Sequence, residues 1–266
     1  HQRKGRHIIT TQIEHKAVLD TCGYLEKQGF EVTYLKPDAS GIISLEAISA
    51  AMRPDTILLA VLMANNEIGV IQDIAAMGKL AREHGVLFIV DAAQAAGKLP
   101  IDLQQLPVDL MTFSGHKVYA PKGVGFMYIK ETAAFTPFIA GGGQESGLRS
   151  GTENLPGLAA LNVIFSMLNT ASEDTFTALK TLHLFRQQIA TALTQAFPEI
   201  VFNHSFENSV PTTINFSIPG FSSKEIMDLF DAANIRVSSG SACSSKVVGS
   251  FVLDAMGLPN WQSESA

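Results

Sequence analysis

Cysteine, long apolar runs and positive charge are all scarce in this sequence of 266 residues. Its two cysteines, Cys22 and Cys243, lie far apart, which argues against a disulfide framework and favours a cytoplasmic protein with free thiols. No apolar run approaches the length that crosses a bilayer, so no membrane contact is expected. The 25 acidic residues outnumber the 19 lysines and arginines, and the net charge of −6 argues against direct nucleic-acid binding.

A large apolar fraction is present instead, and it is arranged in alternating patterns. Hydrophobic residues make up 46% of the chain, which is enough for a packed core. In residues 1–170, strand patterns alternate with amphipathic helical patterns, and the runs 56–63 and 86–90 are nearly continuously apolar, as in strands covered on both faces. This alternation predicts an α/β fold with a mostly parallel sheet.

Residues 171–266 have a different pattern, because a long helical stretch is followed by short strand patterns. We expect them to form a smaller α+β domain, with the boundary near residue 170. Strands are predicted at 212–218 and 235–238, and residues 261–266 are expected to be a frayed end.

Polar residues cluster where three of the predicted strands end. In an open α/β sheet, ligands bind beyond the carboxyl ends of the strands, so these residues are expected to meet at one edge. They are Asn65, Asn66, Asp91, Gln94, Ser114, His116 and Lys117. Their convergence predicts a binding site more strongly than any one of them does.

Asp91 directly follows an apolar strand, where a carboxylate is costly without a cationic partner. A protonated pyridine nitrogen would supply that partner, and the protonated ring could accept electrons. The alternative is that Asp91 is only the N-cap of a helix that follows it.

The sequence Ser114-Gly115-His116-Lys117 combines the groups that a phosphorylated aldehyde cofactor needs. The lysine can bind the aldehyde covalently, while Ser114 and His116 can donate hydrogen bonds to a phosphate. Gly115 lets the backbone approach a ligand closely. The alternative is a polar surface turn with a solvated lysine.

Two weaker signals accompany this edge. His15 precedes a helix and could stack on a ring or transfer protons, although a helix-start histidine facing water gives the same pattern. A glycine-rich stretch from Gly141 leads through Arg149 and Thr152 to a helix start that suits an anion. An ordinary flexible loop before a capped helix would look alike.

Cys243 lies in a run of small polar residues, SSGSACSSK, at positions 238–246. A mobile, exposed thiol of this kind can reach a substrate and then leave, and Lys246 nearby would favour the thiolate. The alternative is an unreactive free thiol on a polar loop. Cys22, in contrast, falls on the apolar face of a helical pattern and is predicted to be a core residue.

Taken in order, these motifs resemble those of the NifS/IscS cysteine desulfurases, which are class V aminotransferase-fold enzymes that use pyridoxal 5'-phosphate (PLP). The matching segments span almost the whole chain and are 11–20 (TQIEHKAVLD), 65–69 (NNEIG), 90–94 (VDAAQ), 114–117 (SGHK), 149–152 (RSGT) and 239–243 (SGSAC). The resemblance implies a PLP-dependent transferase of fold type I, similar to aspartate aminotransferase. It also implies removal of sulfur from L-cysteine, with L-alanine as the other product.

The resemblance implies a role for each matching residue. Lys117 would bind PLP covalently, His15 would stack on the ring and take part in catalysis, and Cys243 would accept the sulfur as a persulfide. Asn66 and Arg149 would lie near the substrate carboxylate. No resident metal is implied, although Cys243 is a candidate for transient ligation of an iron–sulfur cluster. The other residues implied to contact PLP are Asn66, Asp91, Gln94, Ser114, His116 and, across a homodimer interface, Thr152.

The resemblance leaves partners and completeness open. A protein acceptor would take the sulfur, either an iron–sulfur scaffold or a tRNA-thiolation protein. The family's N-terminal Gly-Ala-Thr phosphate loop and its C-terminal arginine have no counterpart, so we expect a chain that is incomplete at both ends and binds PLP weakly by itself. Other functions remain open, namely a selenocysteine lyase, a class V transaminase, for which Cys243 would be superfluous, and an inactive truncated remnant.

Overall fold

A six-stranded sheet organises the first half of the chain in the computed structural model, which describes residues 5–133, 136–170, 174–240 and 249–266. The strand order is β2-β1-β3-β4-β5-β6, in which the first five strands pair in parallel and β6 runs antiparallel to β5. The prediction of a mostly parallel sheet is confirmed. The strands are β1 (His7–Thr11), β2 (Glu31–Leu35), β3 (Thr56–Leu62), β4 (Leu87–Asp91), β5 (Leu110–Ser114) and β6 (Gly125–Ile129).

Three helices form the crossovers between these parallel strands, and their starts follow from local sequence. The side chain of Ser44 accepts a hydrogen bond from the backbone of Ala47, and that of Asp73 accepts one from Ala76, so both residues are N-caps as their positions predict. The helices are α1 (Lys16–Glu26), α2 (Leu45–Ala51) and α3 (Ile74–Glu83).

The main core lies between the central strands and α3. Val61 of β3 and Phe88 of β4 are almost fully buried and share this core with Met77 and Ala81 of α3. Gly78 permits the close approach, because a Cβ there would lie 2.5 Å from the carbonyl oxygen of Pro107. Burial of such side chains contributes about 1.5–3 kcal/mol each, so the core fixes the positions of the strand ends.

Among its described residues, the second half contains two long helices, a two-stranded antiparallel sheet and three short helices. Ser222 and Glu225 form the predicted capping box at the start of α6. Within the described residues, no helix has both the length and the apolar composition needed to cross a bilayer. The elements are α4 (Leu155–Thr170), α5 (Asp174–Ala196), β7 (Val201–Phe202), β8 (Phe216–Ser217), α6 (Ser223–Ala232), α7 (Phe251–Met256) and α8 (Asn260–Ser265).

Three predictions for the second half were wrong. The strand predicted at 212–218 shrinks to the two residues of β8. Residues 235–238 form no strand, because the backbone turns at Asn234 (φ +60°) and Ile235 is half exposed instead of packing on a sheet. The end of the chain is the helix α8, since the hydroxyl of buried Ser265 both donates to and accepts from the backbone of Ile218.

Helix α7 and its N-cap residue connect the last part of the chain to the large sheet. Helix α7 packs Val252 and Leu253 into a second apolar cluster with Ile13 and Leu62. The hydroxyl of Ser250, the N-cap of α7, donates to the carboxylate of Glu67 at 2.5 Å. Both contacts reach loops that follow strands β1 and β3, so α7 is fixed against the carboxyl edge of the sheet.

Arg186 of α5 is a buried cation that holds backbone groups together. One terminal nitrogen donates to the hydroxyl of Ser209 (2.9 Å) and the carbonyl of Val210 (3.0 Å), and the other donates to the carbonyl of Phe206. The backbone of Val210 in turn donates to Gly69, in the loop after β3. Arg186 therefore connects α5 to that loop through residues 206–210.

We expect Arg186→Met to lower the free energy of unfolding by on the order of 3 kcal/mol, because it leaves several buried acceptors without a donor. The control is Arg236→Met, since Arg236 pairs with Asp231 at 2.6 Å while both side chains are 70% or more exposed. Loss of that exposed pair should cost under about 1 kcal/mol. Urea unfolding of both variants measures the difference, and equal losses would contradict this account of Arg186.

Candidate active site

The carboxyl ends of four neighbouring parallel strands, β1, β3, β4 and β5, lie at one edge of the sheet. The register aligns Leu62 with Asp91 and Asp91 with Thr112, so β3 and β4 end at the same level. The last residues of these strands and the segments that follow them carry seven of the predicted site residues, which are His15, Asn66, Asp91, Gln94, Ser114, His116 and Lys117.

Lys117 lies on a short 3-10 helix, Gly115–Val118, that begins where β5 ends. The turn is tight, because a Cβ on Gly115 would lie 2.7 Å from the carbonyl oxygen of Val124. The hydroxyl of Ser114 and Nδ1 of His116 are hydrogen bonded at 2.9 Å. Lys117 is exposed and forms no ion pair with any described residue. A primary amine thus lies beside two hydrogen-bonding groups that suit a phosphate.

Asp91 ends β4, and only one of its two carboxylate oxygens accepts a hydrogen bond from a described residue. Its Oδ1 accepts a hydrogen bond from the backbone of Ala93 at 2.9 Å, which is the capping interaction. No described residue donates to Oδ2, which leaves that oxygen available to a protonated ring nitrogen.

Gln94 follows Asp91 and is paired with a lysine that the sequence reasoning did not single out. Nζ of Lys98 donates to Oε1 of Gln94 at 2.7 Å. Burial lowers the pKa of Lys98, and the positive charge of Lys117 lowers it further. The two lysines therefore lie close enough to repel one another at this edge.

His15 and Glu14 occupy the loop after β1. Nδ1 of His15 accepts from the backbone of Ala17 at 3.1 Å, so this histidine is the N-cap of α1. Glu14 is fully buried, and its Oε1 accepts from the hydroxyl of Thr11 (2.8 Å) and the backbone of Leu62 (2.9 Å). Its Oε2 has no partner among the described residues.

Burial raises the pKa of Glu14 to about 8. Hydrogen bonds from Leu62 and Thr11 oppose that rise, and the negative charge of Asp91 adds to it. Glu14 is therefore mainly protonated at neutral pH.

The loop after β3 contains Asn65 and Asn66. Asn65 is buried, donates to the carbonyl of Ile13 at 2.9 Å and accepts from the backbones of Glu67 and Ile68. It is thus a structural residue that ties the loops after β1 and β3 together. Asn66 is half-buried, and its predicted contact with cofactor and substrate stays a prediction.

Arg149 and Thr152 lie in a groove of about 690 Å³ that is also lined by Phe126 of β6 and Leu158 of α4. Neither Lys117 nor Asp91 is among its lining residues. Thr152 is exposed, and Arg149 donates to the carbonyl of Ser150 at 3.1 Å. The structure thus brings the strand-end residues together, whereas the predicted roles of these two residues remain predictions.

The two cysteines differ in what the structure describes of them. Cys243 lies outside the described residues, as does Lys246. Cys22 is a buried residue of α1, as predicted, and burial raises the pKa of its thiol to about 11, with the charges of Glu14 and Glu26 adding to the effect. Cys22 is therefore protonated at neutral pH and is a poor nucleophile.

The side chains at this edge fit PLP in chemical type. Lys117 supplies the amine for the aldehyde, Asp91 an unpaired carboxylate oxygen for the ring nitrogen, and Ser114 and His116 donors for the phosphate. Among the described residues, no group of three or more His, Cys, Asp or Glu side chains is placed to hold a metal ion.

Comparisons with known proteins agree with this geometry. The family model described as aminotransferase class-V matches residues 1–256. The chain is 46% identical to a cysteine desulfurase IscS of Serratia proteamaculans (strain 568), over 100% of this chain and 65% of the relative, so it spans less than two thirds of that protein. Among solved structures, a NifS-like protein matches with a TM-score of 0.88 at 34% identity, over 99% of this chain and 69% of the other. The structure described as SspA in complex with cysteine matches with a TM-score of 0.81 at 37% identity, over 98% and 71%.

Sequence reasoning missed Glu14 and Lys98 at this edge, and it placed Asn65 there without predicting that Asn65 ties two loops together. A signal existed for Lys98, because it lies four residues after Gln94, the spacing that brings side chains together on a helical turn. Glu14 immediately follows a buried stretch, but its complete burial depends on the neighbouring strand and is not visible in the sequence.

The raised pKa of Glu14 predicts a pH-dependent stability. Below its ordinary pKa near 4.5 the folded and unfolded chains are both protonated, and as pH rises toward 8 only the unfolded chain ionises, which favours unfolding. Glu14→Gln keeps the acceptor oxygen but cannot ionise. We therefore expect the variant to gain stability relative to wild type between pH 5 and 8, by up to about 1.4 kcal/mol per pH unit. Urea unfolding at several pH values measures this gain, and a pH-independent difference would contradict it.

Proposed function

The chain belongs to the aminotransferase class-V family, and from that membership we propose that it is part of a PLP-dependent cysteine desulfurase. The observation that carries the proposal is that the amine of Lys117 and the carboxylate of Asp91 lie at the same carboxyl edge of the sheet. The chain is also 46% identical to a cysteine desulfurase. The proposed substrate is L-cysteine, and the proposed products are L-alanine and a persulfide on Cys243.

The residues at the carboxyl edge of the sheet would have separate roles in cofactor binding and proton transfer. PLP, when bound, supplies a conjugated ring that accepts the electron pair of a bond broken at the substrate α-carbon. Lys117 would hold it covalently and, once released by substrate, accept the α-proton at Nζ. Asp91 would keep the ring nitrogen protonated through a charge-assisted hydrogen bond. Ser114 and His116 would bind the phosphate.

Further contacts would come from residues around this edge. His15 would stack on the ring, Gln94 would contact the phenolic oxygen, and Asn66 and Arg149 would bind near the substrate carboxylate. Thr152 would reach the phosphate of the partner subunit in a homodimer. Its exposure on the groove beside β6 leaves it accessible to a second copy.

Cys243 would carry out the sulfur transfer. Its thiolate attacks the substrate sulfur, so that an S–S bond forms as the Cβ–S bond breaks. The electron pair of the broken bond stays on the substrate carbon, which takes up a proton to give L-alanine. Ser250, seven residues after Cys243, is bonded to Glu67 beside Asn66. The chain that follows Cys243 therefore returns to this edge of the sheet at Ser250.

The persulfide would pass to an acceptor protein, an iron–sulfur scaffold or a tRNA-thiolation protein, in the cytoplasm. Cys243 also distinguishes a desulfurase from a class V transaminase, because transamination needs no thiol.

Lys117→Ala should abolish the covalent attachment of PLP, because an alanine side chain has no amine to bind the aldehyde. Borohydride reduction followed by peptide mapping measures the attachment. Lys122→Ala is the matched control, since Lys122 is an exposed lysine in the next turn, and it should keep the label on Lys117. Label recovered on a different lysine in the Lys117 variant would contradict the assignment.

Cys243→Ser should retain bound PLP but release no alanine or sulfide from L-cysteine, because a hydroxyl is too weak a nucleophile toward sulfur. Alanine production with a thiol reductant present measures turnover. Cys22→Ser is the control, and it should lower stability while keeping turnover per folded molecule, since the Cys22 thiol is buried and protonated. Normal turnover by the Cys243 variant would overturn the persulfide step.

A further inference from the structure

Lys98 is a half-buried cation near the carboxyl edge of the sheet, and it has no acidic partner among the described residues. Its Nζ instead donates to the side-chain oxygen of Gln94 at 2.7 Å. Burial lowers the pKa of Lys98, and so does the nearby charge of Lys117. Partial burial of an ammonium group that is hydrogen bonded only to a neutral amide costs stability, so a functional role for Lys98 is worth seeking.

The backbone around Lys98 holds the two side chains together. The amides of Ala95 and Ala96 donate to the carbonyl of Ala92, and that of Lys98 donates to Ala95, which forms a tight turn in which Gly97 has φ +69°. Gln94 and Lys98 lie near the two ends of this turn, and their 2.7 Å hydrogen bond shows that their side chains meet across it.

This turn is also fixed against the 3-10 helix that carries Lys117. Ala96 and Val118 are buried in one apolar cluster. A Cβ on Gly97 would lie 3.6 Å from the side chain of Val118, so the two backbones are close. The Gln94–Lys98 pair consequently keeps a constant place relative to Lys117.

The chemistry of the pair decides the orientation of the Gln94 amide. An ammonium group only donates, so it selects the amide oxygen as its partner and excludes the flipped orientation. The amide nitrogen of Gln94 makes no hydrogen bond to any described residue. A donor is therefore left free at the edge where a ligand oxygen would be held.

We propose that Lys98 is a positioning residue, which fixes the Gln94 amide so that its nitrogen is the group presented to the anionic phenolic oxygen of PLP. This inference rests on the proposed function, because it takes PLP as the ligand. Without Lys98, the amide can rotate and present its oxygen, which repels a phenolate.

The test compares Lys98→Met, Gln94→Leu and the double variant by titrating the apoprotein with PLP and following its visible absorbance. Met keeps the length of the side chain but removes the donor. Lys98→Met should weaken PLP binding on the order of tenfold, as expected for one charge-assisted hydrogen bond. In the Gln94→Leu background the same change should have little further effect, because the amide to be oriented is gone.

A second readout is the pH midpoint of the absorbance change of bound PLP. Loss of a donor to the phenolate and of a nearby positive charge both disfavour the deprotonated form, so the midpoint should rise in Lys98→Met. Lys98→Arg, which still donates to the Gln94 oxygen, should restore affinity and midpoint. Lys79→Met, a change at an exposed lysine of α3, should leave both unchanged.

Two outcomes would overturn the inference. Equal weakening by Lys98→Met in the wild-type and Gln94→Leu backgrounds would mean that Lys98 acts independently of Gln94. Wild-type affinity and midpoint in Lys98→Met would mean that it does not act on PLP. Failure of the wild-type protein to bind PLP at Lys117 would be a different result, since it overturns the proposed function itself.

Discussion

Parallel pairing of β1 to β5 is the constraint on which the rest of the molecule depends. Because these strands run the same way, their carboxyl ends share one edge, and residues distant in sequence become neighbours there. Asp91 of β4 and Lys117 after β5 lie at the same edge of the sheet for this reason. The main core, which contains buried residues of these strands, holds the strands and so their ends in fixed register.

The edge itself is organised by buried polar groups that do not touch a ligand in the proposed reaction. Glu14 bonds the backbone of Leu62, and Asn65 bonds that of Ile13, so each joins the loops after β1 and β3. Burying Glu14 costs stability, which its protonation limits. A protonated Glu14 places no second negative charge near Asp91. This agrees with the proposal that Asp91 is the partner of a cationic ring.

The second half of the chain is linked to the same edge. Arg186 holds residues 206–210 against the loop after β3, and Ser250 bonds Glu67 in that loop. The segment leading from Cys243 therefore re-enters the described structure beside the proposed cofactor contacts. A nucleophile carried on a separate segment can approach a substrate and then carry sulfur away, as the proposed transfer requires.

The sequence by itself determined the α/β alternation, the caps Ser44 and Asp73, and the strand ends at Asp91 and Ser114, because apolar periodicity and capping depend on neighbouring residues. Its motifs also carried the family resemblance. Only the tertiary structure decided that the polar end of the chain forms α8 and that residues 235–238 are not a strand. It also decided that Glu14 is buried and that Lys98 donates a hydrogen bond to Gln94. These features depend on contacts between distant segments, such as Ser265 with Ile218, where burial makes a polar group pair with whatever the fold brings beside it.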